Sequence, residues 1–372
     1  MKVFYYGADQ PFSQIIAEDI NRRNMAYLYA LSQSPTVDKL VCVHRTTRSM
    51  VFTQLFRKNT NSEKVFDLFY APILPERGLL KFFRSINSWI LKMIYWKHFK
   101  VQNEREKVIN WCYWPKGYRD WKYLQTKGKL LFDSDHNILN DPNTPKDDQK
   151  DRERLLVEIG SRANFVLSAS RTMLKWFSQF PNVRGFLAMN GVITDKVNNS
   201  KIASTTPNKE IVYCGTLSKW IKKEWLFRLI SEHPEWTFHI VGRDYLCNLS
   251  EELMEFENVV LYGYLPRKKA DSVIGKADVA IALYEKEAHI DVSSMKIFDY
   301  LKMGKKVVTN NFHPHLLQDY ESLIYCADSY DKFQEYINDD AYLAPKDEVI
   351  ASFLKNKTWE QIVNDILSRI ED

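Results

Sequence analysis

The chain has 372 residues, of which 45% are hydrophobic and 27% charged, a composition typical of an ordinary folded protein. That length is comfortable for two domains. The net charge of +5 is too small for a dedicated nucleic-acid binder, although it is compatible with an anionic ligand or surface. No run of about 18 uncharged apolar residues occurs, so no segment is predicted to span a membrane.

The cysteines and the N-terminal segment indicate a reducing compartment. The five cysteines are Cys42, Cys112, Cys214, Cys247 and Cys326. Their odd number, wide spacing and lack of a CxxC pair favour reduced thiols over a disulfide framework or a zinc site. The segment MKVFYYGADQ reaches Asp9 before the apolar core of a signal peptide could form. We therefore expect a first strand here and a cytoplasmic location.

Short apolar runs recur along the first half of the chain. Continuous runs of this kind are typical of strands buried on both faces of a parallel sheet. They predict seven strands, over residues 2–7, 39–45, 65–71, 108–114, 129–135, 164–170 and 184–190. The polar stretch 195–210 has the composition of a linker.

The second half alternates more regularly between apolar runs and segments with helical spacing. Six more strands are predicted, over residues 211–215, 237–242, 259–263, 278–284, 306–310 and 322–326. Helices are predicted between them over 222–236, 268–279 and 295–303, and a final amphipathic helix over 358–370.

This alternation predicts an α/β chain with two Rossmann-like, doubly wound domains that face each other across a cleft. We expect residues 1–200 to form the first domain and residues 208–355 the second, with the helix at 356–372 able to pack back on the first. Ligands are expected at the carboxyl ends of the strands. The turns YGADQPF and CGTLSKW both lack GxGxxG, which disfavours a nicotinamide or flavin enzyme.

The first turn of the second domain, CGTLSKWIKKEW (214–225), has the residues of an anion site. Gly215 would let a ligand approach the backbone, and Thr216 and Ser218 could donate hydrogen bonds. Positive charge at the start of the next helix comes from Lys219, Lys222 and Lys223. Free N–H groups and the helix dipole favour an anion there. The alternative is a solvated lysine cluster.

The stretch DVSSMKIFDYLKMGKKVVTNN (291–311) places Lys296 in the first turn of a helix. Ser293 and Ser294 are candidate N-caps, and Gly304 would end the helix. A cation is disfavoured at the positive end of a helix dipole. A bound diphosphate would relieve that conflict, whereas the alternative is an ammonium that points to water.

In the first domain the richest cluster is LLFDSDHN (130–137), where Asp133, Asp135 and His136 leave the carboxyl end of a strand. A carboxylate or imidazole at this place would face the cleft and could deprotonate a hydroxyl, a step that contributes about 10²–10⁴-fold to rate. The alternative is an ordinary strand-to-loop turn.

Residues 77–100 carry six Lys or Arg, no acid and an apolar face that includes Phe83, Ile86 and Ile90. Basic amphipathic helices of this type lie on anionic membranes. A helix that packs this face on the sheet fits the pattern equally well.

Three segments, MNGV (189–192), GTLSKW (215–220) and SMKIFDYLKMGKKVV (294–308), resemble glycosyltransferases of the GT-B fold, of the group 1 (GT4-like) type. In that family the last motif reads roughly P-x-K-x-x-E-Y-x-x-x-G-x-P-V-V. The matching residues are Lys296, Tyr300, Gly304, Val307 and Val308. Asp299 replaces the glutamate and Lys306 the proline, and the family's acidic pair becomes Asp291 and Asp299. The triplet 294–296, with Tyr284 upstream, is also similar to that of the xanthan glucuronosyltransferase.

The resemblance implies transfer of a sugar from a nucleotide diphosphate sugar, expected to be a UDP-sugar, with no cofactor, metal or nucleic acid. Lys296 would bind the diphosphate and Asp299 the ribose hydroxyls. Thr216 stands where the family has an arginine, which shifts diphosphate binding towards the three lysines of the turn. The remaining expected donor contacts are Arg243, Tyr264, Tyr284, Ser294 and Met295.

The acceptor is expected to be a glycan or lipid-linked glycan, with residues 77–100 in peripheral contact with the inner face of a membrane. Three alternatives stay open: a non-catalytic partner of another transferase, a sugar-nucleotide epimerase, and a metal-dependent GT-A-like transferase that uses Asp133 and Asp135. Retention and inversion of the anomeric configuration are also both open.

Overall fold

A computed structural model describes residues 1–8, 10–15, 22–45, 64–70, 84–89, 107–140, 146–192, 209–286 and 291–371. Its strands form two parallel sheets, of seven and six strands. The prediction of two Rossmann-like sheets is therefore confirmed. The predicted linker over 195–210 lies almost wholly outside the described residues, and so does most of 77–100.

The first sheet has the order β3-β2-β1-β4-β5-β6-β7. Its strands are β1 Lys2–Tyr6, β2 Lys39–Arg45, β3 Val65–Tyr70, β4 Val108–Tyr113, β5 Lys129–Ser134, β6 Phe165–Ser168 and β7 Arg184–Leu187. The second sheet repeats this order as β10-β9-β8-β11-β12-β13. Its strands are β8 Glu210–Cys214, β9 Thr237–Val241, β10 Val259–Gly263, β11 Val279–Ala282, β12 Lys306–Asn310 and β13 Tyr325–Ala327.

Helices connect the strands, as parallel pairing requires. In the first half they are α1 Arg23–Gln33, α2 Trp114–Leu124, α3 Lys146–Gly160 and α4 Arg171–Phe177. In the second half they are α5 Lys223–Glu232, α6 Leu249–Leu253, α7 Arg267–Lys276, α8 Met295–Lys302, α9 Leu316–Asp319, α10 Tyr330–Asn338 and α11 Asp347–Lys355. The chain ends in α12, Trp359–Glu371, and a short helical segment covers residues 84–89.

The last helix, α12, packs on the core beneath the first sheet. Its apolar residues Trp359, Val363 and Ile366 are buried with Tyr27 and Leu31 of α1. The rings of Tyr27 and Trp359 meet edge to face, 5.1 Å apart. The chain therefore returns from the second sheet to complete the first hydrophobic core.

Polar contacts join the two sheet domains at the carboxyl ends of their strands. The Asn190 side chain donates to the carbonyl oxygen of Ser293 (2.6 Å), and the Asn190 backbone donates to the Ser293 hydroxyl (2.9 Å). Arg171 forms two hydrogen bonds to the Asp319 carboxylate, at 2.7 and 3.2 Å. These contacts hold the two topological switch points opposite each other, where ligands of doubly wound sheets bind.

None of the helices in the described ranges is suited to crossing a lipid bilayer. The cysteines all carry free thiols.

Candidate functional site

A cavity of about 450 Å³ lies between the two domains, at the carboxyl ends of β8 and β11. Most of the donor-site residues predicted from the sequence line it: Gly215, Thr216, Ser218, Arg243, Tyr264, Tyr284, Ser294, Met295, Lys296 and Asp299. Residues of the first domain, Arg22 and Asn190, close it from the opposite side. The cavity is large enough for a small organic ligand.

Lys296 is held inside this cavity by two tyrosines. Its Nζ donates a hydrogen bond to the Tyr213 hydroxyl at 2.8 Å. The same ammonium lies 4.2 Å from the centroid of the Tyr213 ring and 4.8 Å from that of Tyr284. Burial opposes the charge, but the two tyrosines outweigh it, and the pKa of Lys296 is raised. Lys296 is therefore a fixed cation, and no carboxylate of the described residues forms an ion pair with its ammonium.

The Lys296 ammonium lies directly against the glycine turn after β8. A Cβ added to Gly215 would come within 2.8 Å of the Lys296 Nζ, and one added to Gly242 within 1.9 Å of the Gly215 carbonyl oxygen. Below the turn, the Tyr300 hydroxyl accepts a hydrogen bond from the Cys214 backbone at 2.7 Å. Gly215, Gly242 and Tyr300 thus allow the Lys296 ammonium to lie close to the backbone of the turn. A cation beside backbone N–H groups is the arrangement that an anionic ligand needs.

Asp299 lines the same cavity, and it carries its own counter-ion. Arg267 at the start of α7 donates to Asp299 at 2.7 Å and to Asp271 at 2.8 Å. Burial raises the pKa of the Asp299 carboxyl, and Arg267 acts in the opposite direction. A carboxylate fixed in this way can accept hydrogen bonds from ligand hydroxyls.

Ser294 occupies the N-cap position of α8, but the predicted cap hydrogen bond does not form. Its hydroxyl pairs with the Tyr284 hydroxyl at 2.6 Å, and its carbonyl accepts from Tyr320 at 2.9 Å. The Ser293 hydroxyl likewise has a tertiary partner, because it accepts a hydrogen bond from the Asn190 backbone. The serines therefore fix the entry to α8 through tertiary contacts, and its first-turn N–H groups are not capped by the Ser294 side chain.

The three lysines of the turn after β8 are placed differently from the prediction, because Lys219, Lys222 and Lys223 do not line the cavity. Lys223 forms an ion pair with Glu252, and Lys222 lies 3.7 Å from a Glu285 oxygen. Lys219 is exposed. Glu252 and Glu285, which lie 29 and 63 residues further along the chain, therefore pair with two of the lysines that the sequence analysis assigned to the ligand.

Arg243 and Tyr264 lie together in the lining of the cavity. The Arg243 guanidinium is 5.9 Å from the centroid of the Tyr264 ring, and that ring is 55% exposed. The two side chains project from the loops after β9 and β10. A flat guanidinium and an exposed aromatic ring are suited to contact with a planar ring of a ligand.

In the first domain, Asp135 and His136 form a dyad beside the cavity. His136 Nδ1 lies 2.7 Å from Asp135 Oδ1, and the Tyr113 hydroxyl donates to Asp135 Oδ2 at 2.6 Å. Burial alone would raise the pKa of Asp135, but His136 and these hydrogen bonds outweigh it and lower the pKa to about 2. The His136 ring packs against Trp114 and, 5.9 Å away, against the cavity residue Trp220.

Asp133 does not face the cleft, which corrects the expectation drawn from its position at the carboxyl end of β5. It is fully buried and accepts hydrogen bonds from Arg23 (3.1 and 3.3 Å) and from the Trp111 ring nitrogen (3.3 Å). Burial raises the pKa of Asp133, and Arg23 opposes this change. The Arg23 guanidinium also donates to Asn190 at 3.0 Å. Asp133 therefore fixes the position of Arg23, which in turn binds Asn190 at the boundary between the domains.

The predicted acidic pair is split between two places. Asp299 lines the cavity, whereas Asp291 accepts hydrogen bonds from the Ser170 hydroxyl (2.7 Å) and the Thr172 backbone (2.9 Å) at the start of α4. Asp291 does not line the cavity.

No group of three or more potential metal ligands occurs among the described side chains. Asp133 and Asp135 each accept hydrogen bonds from other side chains of the first domain.

Sequence reasoning missed Arg22, Asn190, Trp220 and Arg267, all of which line the cavity. Two of them lie in segments that carry the family resemblance, Asn190 in MNGV and Trp220 in GTLSKW. Arg22 immediately precedes α1 and Arg267 is the first residue of α7, and neither was assigned to the ligand from the sequence.

The comparisons with known proteins identify the fold. No protein-family model matches the sequence, and no curated protein does. Sucrose-phosphate synthase from Thermosynechococcus elongatus matches with a TM-score of 0.68 and 12% identity, over 100% of this chain and 98% of that one. HepE from Anabaena, solved with UDP and glucose, matches with a TM-score of 0.63 and 13% identity, over 100% and 99%. The structure of TarM matches with a TM-score of 0.56 and 15% identity. That match covers 76% of this chain, which spans 58% of TarM. The chain has the GT-B fold that these proteins share.

Proposed function

We propose that the protein is a glycosyltransferase that moves a sugar from a nucleotide diphosphate sugar to a hydroxyl of a glycan or lipid-linked glycan. The observation that carries the proposal is the contact of the Lys296 ammonium with the Gly215 turn inside the cavity between the domains. The structures of HepE with UDP-glucose and of TarM with UDP support a nucleotide sugar as the ligand of this fold.

The donor would lie along the second domain, which we take as residues 208–355. Its diphosphate would occupy the space between Lys296 and the Gly215–Ser218 turn, and its ribose would reach Asp299. The base would lie at the Arg243 and Tyr264 end, because aromatic and guanidinium faces suit a planar ring. As the sugar leaves, negative charge grows on the diphosphate, and a preorganised cation there lowers the barrier.

The acceptor would lie against the first domain, which we take as residues 1–200. His136, oriented by Asp135, is the proposed general base for its hydroxyl. The second proton site of the imidazole, Nε2, would receive the proton while the ionised Asp135 stabilises the resulting imidazolium. Asp133 would serve as a positioning residue through Arg23 and Asn190.

Turnover of nucleotide sugars tests this proposal. The wild-type protein is expected to release nucleoside diphosphate from one member of a panel of UDP-, GDP-, ADP- and dTDP-sugars, with transfer to a glycan acceptor. Lys296→Ala should reduce turnover about 100-fold or more, since a charge-assisted contact to the leaving group is lost. Lys276→Ala, an exposed lysine of the same domain outside the cavity, is the matched control. Equal activity of the two variants would contradict the proposal.

A second candidate is a non-catalytic partner subunit that binds a nucleotide sugar. The observation that favours it is the position of Asp291, whose carboxylate binds the start of α4 instead of facing the cavity. Such a protein would be stabilised thermally by a nucleotide sugar and would not turn it over with any acceptor. The turnover assay separates the two candidates.

We also propose a cytoplasmic protein with peripheral membrane contact through residues 77–100. Within the described part of this segment, Ile86 is 41% and Trp89 63% exposed, whereas Asn87 is buried and Ser88 donates to the Tyr123 carbonyl. The helical turn is thus anchored by its polar side and presents apolar groups outward. Co-sedimentation with anionic vesicles, lost on Trp89→Ser, is the expected result, and equal sedimentation of both proteins would contradict it.

A further inference from the structure

The proposed diphosphate site and the proposed base together limit where the transferred sugar can lie. The diphosphate would bind at the Gly215 turn beside Lys296, and His136 would activate the acceptor hydroxyl. Because that hydroxyl replaces the diphosphate at one carbon of the sugar, the sugar ring has to lie next to both groups. A side chain that reaches from the turn to His136 therefore borders the sugar.

Trp220 meets this condition. It belongs to the turn that starts at Gly215, and it lines the cavity between the domains. Its ring lies edge to face against the His136 ring, with 5.9 Å between the two centroids. Trp220 thus reaches from the second domain, which would hold the donor, to the proposed base of the first domain.

We propose that Trp220 contacts the pyranose ring of the donor sugar. This inference rests on the function proposed above and deepens it, since it assigns a residue to the sugar subsite. An indole offers a large, flat apolar surface. The C–H groups on one face of a pyranose form a matching apolar surface, while the hydroxyls at its edge stay available to polar groups of the protein.

The backbone of Trp220 is fixed, whereas its ring is held by packing. The Trp220 backbone N–H donates to the Ser218 hydroxyl at 3.3 Å, and its carbonyl accepts from the Glu285 backbone at 2.7 Å. The indole N–H is buried and has no hydrogen-bond partner among the described residues. A buried indole N–H usually has such a partner.

The unused indole N–H favours a ligand contact in two ways. No hydrogen bond to a described residue has to break when the Trp220 ring turns towards a ligand. The N–H is also a donor only, so its natural partner is an oxygen such as those of a sugar. One side chain therefore offers both the apolar surface and the polar group that a pyranose recognises.

Titration calorimetry with Trp220→Ala, Trp220→Phe and Trp176→Ala tests the inference. Trp176 is a half-buried tryptophan of the first domain that does not line the cavity. One probe is whichever of UDP-glucose, UDP-glucuronate, GDP-mannose, ADP-glucose and dTDP-glucose raises the melting temperature of the wild-type protein most. The other probe is the nucleoside diphosphate which that nucleotide sugar contains.

Trp220→Ala should weaken binding of the nucleotide sugar about ten- to hundredfold and change binding of the nucleoside diphosphate by less than about twofold. Trp220→Phe keeps an aromatic surface and should weaken binding of the nucleotide sugar only about two- to fivefold. Trp176→Ala should leave both affinities unchanged. The affinity for the nucleoside diphosphate also shows whether each variant is folded.

A measurement on the wild-type protein covers the case in which Trp220→Ala does not fold. The indole N–H signal of Trp220 in a proton–nitrogen NMR spectrum is the one that disappears in Trp220→Phe. The nucleotide sugar should shift this signal, and the nucleoside diphosphate should shift it much less. Equal shifts with the two ligands would refute the contact with the sugar.

The calorimetric outcomes separate this inference from the proposed function. If the wild-type protein binds none of the nucleotide sugars and none of their nucleoside diphosphates, the proposed function fails and the inference fails with it. If the wild type binds and Trp220→Ala weakens both ligands equally or neither, only the role of Trp220 is refuted. Slower transfer with an unchanged affinity for the nucleotide sugar would make Trp220 a support for His136, and it would refute the inference as well.

Discussion

Asn190 and Ser293 bind each other twice across the boundary between the two domains, through the amide and the backbone of Asn190. The amide oxygen of Asn190 is used at the same time by the buried Arg23. One side chain therefore connects the core of the first domain to the entry of α8, where Lys296 lies.

Asn190→Ala should lower the free energy of unfolding by about 2–4 kcal/mol, because an Arg23 N–H and the Ser293 carbonyl lose their buried partner. Urea unfolding measures the change. Asn311→Ala removes an exposed amide contact to Asp328 and should cost less than about 0.5 kcal/mol. Similar costs for the two variants would show that the Asn190 contact adds little.

Gly242→Ala should abolish nucleotide binding. The new Cβ would lie 1.9 Å from the Gly215 carbonyl oxygen, so the turn that faces Lys296 would have to move. Gly263 also has a positive φ, of 62°, but a Cβ there meets no atom within 4 Å, so Gly263→Ala should cost only about 1 kcal/mol of backbone strain. Calorimetry with the nucleoside diphosphate should show loss of binding for the first variant and near wild-type affinity for the second. The reverse order would contradict this account of the turn.

Asp135→Asn should reduce the rate of transfer about 10²–10⁴-fold, because the amide cannot stabilise a protonated His136. Donor affinity should stay within about twofold, since Asp135 does not line the cavity. Single-turnover kinetics and calorimetry measure the rate of transfer and the donor affinity separately.

Asp133→Asn should behave differently from Asp135→Asn. It leaves Arg23 buried without its carboxylate and should destabilise the fold by about 3–5 kcal/mol. Matched losses of rate and stability in both variants would refute the division of roles.

Many of the strands were predictable because they are short, continuous apolar runs. The run KLVCVHR coincides with β2, and KVVTN coincides with β12. The helix that carries Lys296 was also predictable, since Gly304, with a φ of 66°, ends it as the sequence indicates. These features depend on local patterns only.

The partners of charged groups were not predictable, because they come from distant parts of the chain. Asp133 is buried against Arg23, 110 residues earlier, and Lys223 is paired with Glu252 of another helix. Local composition cannot show which of several lysines keeps its charge for a ligand. For Lys296, the decisive partner Tyr213 lies 83 residues away.

His313 should make the free energy of unfolding decrease as the pH is lowered. Burial lowers its pKa to about 4, with help from Arg171 and His315 and against Asp319 and Asp291. The unfolded value is about 6.5, so the unfolded state binds more protons between these limits. Stability is then full above about pH 6.5 and declines as the pH falls towards 4, by on the order of 3 kcal/mol.

His313→Gln should remove this part of the pH dependence. The measurement is the free energy of unfolding of both proteins between pH 4 and 7. As the pH falls, the free energy of unfolding of the wild-type protein should decrease more than that of the variant. Any advantage of the wild type should therefore shrink or reverse. Parallel curves would show that His313 does not titrate with folding.

A crystal structure with the nucleoside diphosphate that binds most tightly tests the central claim most directly. The account predicts a phosphate oxygen within hydrogen-bond distance of the Lys296 Nζ, with the diphosphate against the Gly215 turn and the base between Arg243 and Tyr264. A nucleotide bound elsewhere, with Lys296 still donating to Tyr213 and the cavity filled by water, would contradict it.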